Sequence, residues 1–243
     1  MGASGGPDLV QDALVLSYDA ADKVSYSGSI QDGILSTWKD LSGNGLDGQI
    51  TGSSSSKPTF DSGNGGSIVF DGSNDAVKPT ANALFNIREQ ITVTAWVKAT
   101  GSGHRRIVNK EESNATNDRP WSFNWTAGNK LQVGFNDYEL NVENNTTLST
   151  GIWYHVGFTY DKDGGGTDEL KFYVNGSVDG TGNYSTILDS TEKAPGIGAG
   201  YIYNVNPDSP FEGNIANVHI YSKELSGKEM LQNFNAHRAR FGV

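Results

Sequence analysis

Gly151–Gly176, GIWYHVGFTYDKDGGGTDELKFYVNG, is the stretch on which the fold turns. In an extended chain Tyr154, Val156, Phe158 and Tyr160 fall on one side and Trp153, His155, Gly157 and Thr159 on the other. After the acidic, glycine-rich run 161–169, Leu170, Phe172 and Val174 alternate with Lys171, Tyr173 and Asn175. A period of two marks strands with one face in a core, because successive side chains leave opposite faces of a sheet. Asn175-Gly176 supplies the positive φ angles of a second tight turn. The centre of the chain is therefore predicted to be an antiparallel β-meander.

The same pattern spreads outward. Leu14, Leu16 and Tyr18 predict a first strand, 67–70 a short one, and Ile91, Val93, Ala95 and Val97 the clearest core strand of the first half. Trp121, Phe123 and Trp125 share one side of a strand whose hairpin partner carries Leu131, Val133 and Phe135, with 127–129 turning between them. Tyr201 to Tyr203 and 215–221 complete the strands. Ser226 with Glu229 matches a capping box, and Met230, Leu231 and Phe234 recur at helical spacing, so one helix is predicted to run to about His237. No repeat of 20–50 residues appears, which removes solenoids and propellers. Short strands separated by turns and ending in one helix predict an all-β, two-sheet antiparallel jelly-roll sandwich with one short C-terminal helix. We divide the chain into a flexible N-terminal arm, 1–12, and a single domain, 13–243.

Composition agrees. The 243 residues fit one large β domain, and 31 glycines suit many turns. The net charge of −10 disfavours nucleic acid and anionic membranes as partners. There is no cysteine, hence no disulfide or thiol chemistry. No apolar run approaches the roughly 20 residues that cross a bilayer, so membrane insertion is not expected. The first residues, MGASGGPDLVQ, lack the basic and apolar regions of a signal peptide.

Several phrases resemble a known family. W-Y-H-V-x-x-T-Y followed by L-x-F-Y-V-N-G, with 37–45 (TWKDLSGNG), 68–75 (IVFDGSND), 94–97 (TAWV) and 211–218 (FEGNIANV) in order, is similar to laminin-G-like, concanavalin A-like lectin and glucanase jelly rolls. The ends, from Leu9 to Ala21 and from Asn235 to Gly242, resemble lectin-like proteins of tailed, notably marine, bacteriophages. That resemblance implies a virion surface protein made in the host cytoplasm, with other virion proteins or further copies of itself as partners. Laminin-G-like domains also often hold one calcium at a sheet rim. Asn217 stands where similar proteins often have an acid, which weakens the case for a metal at that position.

Three chemistries can be weighed on the residues. A glycosidase needs two carboxylates about 5–10 Å apart. The expected strand pattern, E-x-D-x-E, is missing, and Glu111-Glu112 and Asp168-Glu169 read as solvated charge in loops or at a strand edge. Outside the small-residue N-terminal run Gly2 to Gly6 no G-x-S-x-G is present, and the four histidines (His104, His155, His219, His237) fall in unrelated contexts, so a nucleophilic triad is not expected. Calcium wants six to eight oxygens. Asp71 with Asp75 and Asp161 with Asp163 are the candidate ligands, although such turns also arise because Asp caps its own backbone.

Sugar binding wants an aromatic to stack on a pyranose and polar groups around it. Trp121, Trp125, Tyr138 with Asn136 and Asp137, Arg119, the trio His104 to Arg106, and Tyr201 with Tyr203 are the candidates. Trp121 and Trp125, in register with Phe123, read as core before platform, and Trp38, Trp96 and Trp153 as packing. The expected function is a non-enzymatic module that binds host cell-surface glycans. The alternative is a capsid-decoration or tail-appendage subunit working through protein contacts, with a polysaccharide hydrolase third.

Overall fold

A computed structural model describes residues 8–26, 37–51, 57–111, 119–191, 193–200 and 208–243. Its strands are β1 (Leu14–Asp19), β2 (Thr37–Trp38), β3 (Gly48–Thr51), β4 (Thr59–Asp61), β5 (Ser67–Asp71), β6 (Ala76–Pro79), β7 (Gln90–Ala99), β8 (Arg105–Lys110), β9 (Trp121–Trp125), β10 (Leu131–Phe135), β11 (Leu140–Glu143), β12 (Tyr154–Asp161), β13 (Leu170–Val174), β14 (Ser177–Gly182), β15 (Gly196–Ile197) and β16 (Glu212–Tyr221). Among the described residues a single α-helix, α1 (Gly227–Phe241), follows.

The strands form two antiparallel sheets, as predicted. The first runs β14-β13-β12-β7-β16-β5-β4, with β1 beside the C-terminal half of β16. The second runs β11-β10-β9-β8-β15-β6-β3-β2. The meander is the β12-β13-β14 edge of the first sheet: Phe158 faces Phe172 across one ladder and Val93 across the other.

Between the sheets lies one core. Phe158 meets Phe123 at 5.4 Å, Phe135 at 6.0 Å and Trp121 at 6.2 Å between ring centroids, in the edge-on geometry that aromatic quadrupoles favour. Trp125 reaches Tyr154 from the opposite sheet. Trp38 and Trp96 are fully buried and Trp153 nearly so, so their packing role holds.

Alternation alone underestimates burial in the first sheet. The second face of β7 and β12 is also buried, because α1 lies across it. Trp96 stacks on Phe241 at 4.1 Å and on Phe234 at 5.7 Å. The capping box forms, with the Ser226 hydroxyl accepting from the Glu229 N–H and the Glu229 carboxylate accepting from the Ser226 N–H. The helix runs past His237 to Phe241, since 238–241 contains no breaker, and Gly242 ends it in the left-handed conformation.

Two expectations change. Residues 8–12 are held on α1: the Val10 N–H donates to Asn233, and Gln232 donates to the Asp8 carbonyl. Residues 1–7 lie outside the described residues. The histidines are not unrelated: His155, His219 and His237 meet between the first sheet and α1, with His219 stacked on His237 at 6.0 Å.

Candidate functional site

The alternation that sends Trp121, Phe123 and Trp125 into the core sends Ser122 and Asn124 to the outer face of the second sheet. Gln132 and Gly134 of β10 lie opposite them. In β8 the register shifts between Arg106 and Val108, a bulge that buries both Ile107 and Val108 and leaves Arg106 facing Asn124. Asn109, opposite Ser122, and Glu111 two residues on continue this outer row.

Arg106 is the hub. One guanidinium nitrogen, Nη1, donates to Asn124 Oδ1 at 3.0 Å. Nη2 reaches the Tyr138 hydroxyl at 2.7 Å, Asp208 Oδ2 at 2.9 Å and Glu111 Oε2 at 3.3 Å. The Tyr138 hydroxyl in turn donates to Glu111 Oε1 at 2.7 Å. Asn124 also donates to Ser122, and His104 is 2.8 Å from Gln132. Asp208 arrives from far along the chain through a two-way backbone bridge with Gly200. A β-carbon at Gly200 would meet Glu111 Oε2 at 3.1 Å and Arg106 Nε at 3.4 Å, so a side chain there would push on both members of the ion pair.

Tyr138 gets there by strained backbone. Asn136, Asp137 and Tyr138 have φ of 44°, 54° and 68°, three successive left-handed residues without a glycine. Each such residue costs of the order of 1–3 kcal/mol, and such strain persists only where surrounding contacts fix it. Here they do: Asn136 donates to the Ile187 carbonyl and accepts from the Asp189 N–H, while the Asn136 and Asp137 N–H groups bond to the Pro120 and Arg119 carbonyls. The turn folds the Tyr138 ring back onto Gly134, where a β-carbon would fall 2.6 Å from the ring. The Arg119 guanidinium stands 5.4 Å from the ring centroid and that of Arg106 5.8 Å, cation–π distances.

The electrostatics follow from burial. The Glu111 carboxyl is pushed up from its ordinary range by burial, against the pull of Arg106, Tyr138 and Arg119. Burial by itself would lower Arg106, but Glu111, Tyr138 and Asp208 more than reverse it. Tyr138 is pushed up to about 12 by burial and the Glu111 charge, so its phenol stays protonated and donates. A polar group this buried is costly unless paired, and the cluster supplies the pairs. Around that rigid floor, His104, Gln132, Tyr138 and Arg119 are partly exposed and Asp208 is open to solvent over 37% of its side chain. This arrangement can hydrogen-bond a polyhydroxylated ligand with both donors and acceptors.

The predicted site residues divide. Tyr138, Asn136, Asp137 and Arg119 come together with Arg106, and His104 bonds Gln132 on the same sheet face, while Arg105 pairs with Glu212. Trp121 and Trp125 are corrected: they are 2% and 0% exposed, inside the sandwich, and offer no ring to a sugar. Tyr201 and Tyr203, like Glu112, lie outside the described residues. Glu111 is not solvated charge but a buried partner of Arg106, and Glu169 is buried also, accepting from the Tyr184 N–H. The sequence reading missed Asn124, Ser122 and Asp208; the first two were visible in the strand alternation, whereas Asp208 has no local signal.

The calcium candidates also divide. Asp161 accepts from the Asp163 N–H and from Gln90, and Asp163 pairs with Lys162, which is turn and surface chemistry. Asp75 is different. It is 1% exposed, its Oδ2 accepts from the Asp71 N–H, and its Oδ1 has no hydrogen-bond partner, as is true of the buried Asn74 Oδ1. Oxygens without donors suit a hard cation. Among the described residues no group of three acids or histidines is placed to hold a metal.

Known proteins agree with the fold. A family profile described as the concanavalin A-like lectin/glucanases superfamily matches residues 71–230. No curated protein sequence matches the chain. Among solved structures, botulinum neurotoxin type C, whose cell entry is described as dependent upon interaction with two ganglioside molecules, superposes with a TM-score of 0.66 at 15% identity, over 93% of this chain and 52% of that one. The binding domain of Paraclostridial Mosquitocidal Protein 1 gives 0.65 at 16%, over 93% and 52%. Trypanosoma rangeli sialidase gives 0.64 at 12%, over 95% and 34%. The chain thus spans about half of the toxin chains and about a third of the sialidase. Such identities speak for the fold alone. With sialidases among the matching structures, the expectation of a non-enzymatic chain is withdrawn: the fold gives no ground for excluding catalysis.

Proposed function

The chain belongs to the concanavalin A-like lectin/glucanases superfamily, and within it we propose that this protein binds carbohydrate on the outer face of its second sheet, at the Arg106–Tyr138 cluster. The observation that carries the reading is the left-handed run 136–138. It lays Tyr138 over a polar floor of Arg106, Asn124 and Glu111. Strain held by a dedicated set of hydrogen bonds is a mark of positioning for function. That a ganglioside-dependent toxin shares the fold supports a glycan as the ligand.

Weak single sites become useful when many copies act together, which suits the virion surface suggested by the two ends of the sequence. Host cell-surface glycans are the ligands of that reading and other virion proteins its anchoring partners. Calcium is carried forward as a proposal at the Asp71–Asp75 turn only.

The test is a broad array of cell-surface glycans probed with protein multimerised on streptavidin, followed by titration of the best ligand. Gln132→Ala and Tyr138→Ala should each weaken binding at least tenfold, with the thermal transition checked separately. Silence across the array, or binding that ignores both substitutions, would refute the site.

A further inference from the structure

The layer between the first sheet and α1 is polar where a packing interface would be apolar. Register sets Asn217, Trp96 and His155 in one row across the sheet, and His219, Thr94 and Gly157 in the next. Six buried atoms in this layer have no hydrogen-bond partner: Thr94 Oγ1, Trp96 Nε1, His155 Nδ1, Asn217 Nδ2, His219 Nε2 and His237 Nε2. Unpaired buried polar groups weaken the seal they sit in. The apolar hold on the helix comes from Phe234 and Phe241 against Trp96 and Trp153, and from Met230 among Tyr173, Tyr221 and Leu225 nearer its N-terminus.

We infer that α1 is an acid-released cover, which lifts when His155, His219 and His237 take up protons and bares the Trp96–Trp153 surface beneath it. The layer is poorly equipped to accept those charges. Asp19 of β1 is its carboxylate, 3.9 Å from His237 Nδ1, and it is already bridged by Arg240 of α1 at 2.8 and 2.9 Å. Further positive charge stands close by, with Arg238 over Phe234 and Lys98 over Trp153. On the remaining elements, His219 has only the Ser17 hydroxyl at 3.1 Å, and β7 contributes neutral Thr94 and Trp96.

Burial, then the nearness of His237, lowers His155 to about 3. Burial lowers His219 well below its ordinary value, and lowers His237 against the pull of Asp19. With the helix lifted, each imidazole regains a value near 6.5. The covered state therefore binds fewer protons, and its advantage falls by up to tenfold per histidine for each pH unit below about 6.5, up to about a thousandfold for all three.

Amide hydrogen exchange of the intact protein between pH 7.5 and 5 tests this, corrected for the intrinsic pH dependence of exchange. Protection of 228–241 should fall at least a hundredfold more than that of β10, and His155→Gln and His219→Gln should each flatten the change about tenfold per pH unit. Loss of protection in α1 and β10 together, or none in either, would overturn the inference using the unmutated protein alone. So would selective loss in α1 that both variants reproduce unchanged.

Discussion

Arg106 and Glu111 form an ion pair at 3.3 Å in which the side chains are 6% and 0% exposed. Both charges have left water, so the pair is worth little as attraction, while either one left alone is costly. Arg106→Met should therefore destabilise the protein by about 3–5 kcal/mol, with Glu111 stranded, and Arg106→Met/Glu111→Met should recover most of that loss. Urea unfolding of the two singles and the double gives the coupling. Additive losses would mean that Arg106 is held by Asp208 and Asn124 and not by Glu111.

Trp125 belongs to the core, and this changes what its substitution reports. Trp125→Ala should cost about 3–5 kcal/mol through the cavity it leaves. Trp125→Phe keeps most of the packing and gives up the ring N–H bond to Asn129 at 3.2 Å. Carbohydrate affinity should stay within about twofold in Trp125→Phe at temperatures where the domain is folded. A tenfold loss in a folded Trp125→Phe protein would return this residue to the binding surface.

What could be read from the residues beforehand follows the range of the signal. Period-two alternation and turn residues are local signals, so the first located Ile91 to Val97 and set Trp121, Phe123 and Trp125 in one row, and the second located the hairpin at Asn175-Gly176. The complement of that row, Ser122 and Asn124 on the opposite face, meets Arg106 there and was passed over because polar outer positions ordinarily meet solvent. Tyr138, Asn136 and Arg119 stand out as candidates by residue type, but the left-handed turn that unites them does not, since no glycine marks it. Asp208 beside Arg106, and the three histidines under α1, are products of topology: partners 102 residues apart leave no trace in a window of ten. The buried second face of β7 was missed for the same reason, because the helix that covers it lies more than a hundred residues downstream.

Asp75 gives the stability curve a slope opposite to that of the histidines. Burial and the Asp71 carboxylate push it up to about 7, against the pull of the Asp71 N–H, while the unfolded chain should titrate near 3.9. The folded state therefore keeps a proton that the unfolded state has lost. Stability from this group is full below about pH 4 and is lost as pH rises through 7, by roughly 2–4 kcal/mol. Asp75→Asn should remove that slope, as read from urea midpoints between pH 5 and 8. Calcium at the turn would substitute for the proton: a Tm rise at pH 8 with millimolar calcium over EDTA, absent in Asp71→Asn and Asp75→Asn, is the outcome for a cation. Equal Tm values in calcium and EDTA would leave only the proton.

The capping box at Ser226 links helix stability to the acid response. The Ser226 hydroxyl and the Glu229 carboxylate satisfy each other's N–H groups, and Lys223 holds the same carboxylate at 2.8 Å. Ser226→Ala removes one of these caps at a cost of about 1 kcal/mol, confined to α1. If three protons are taken up as the helix leaves, the free energy of the covered state falls by up to about 4 kcal/mol per pH unit. A loss of about 1 kcal/mol should then move the midpoint of α1 release upward by about 0.2–0.3 pH unit and leave exchange in β10 unchanged. A shift of a full unit would mean that fewer than three histidines are engaged, and an unmoved midpoint would mean that the helix end frays without loosening the layer over His219.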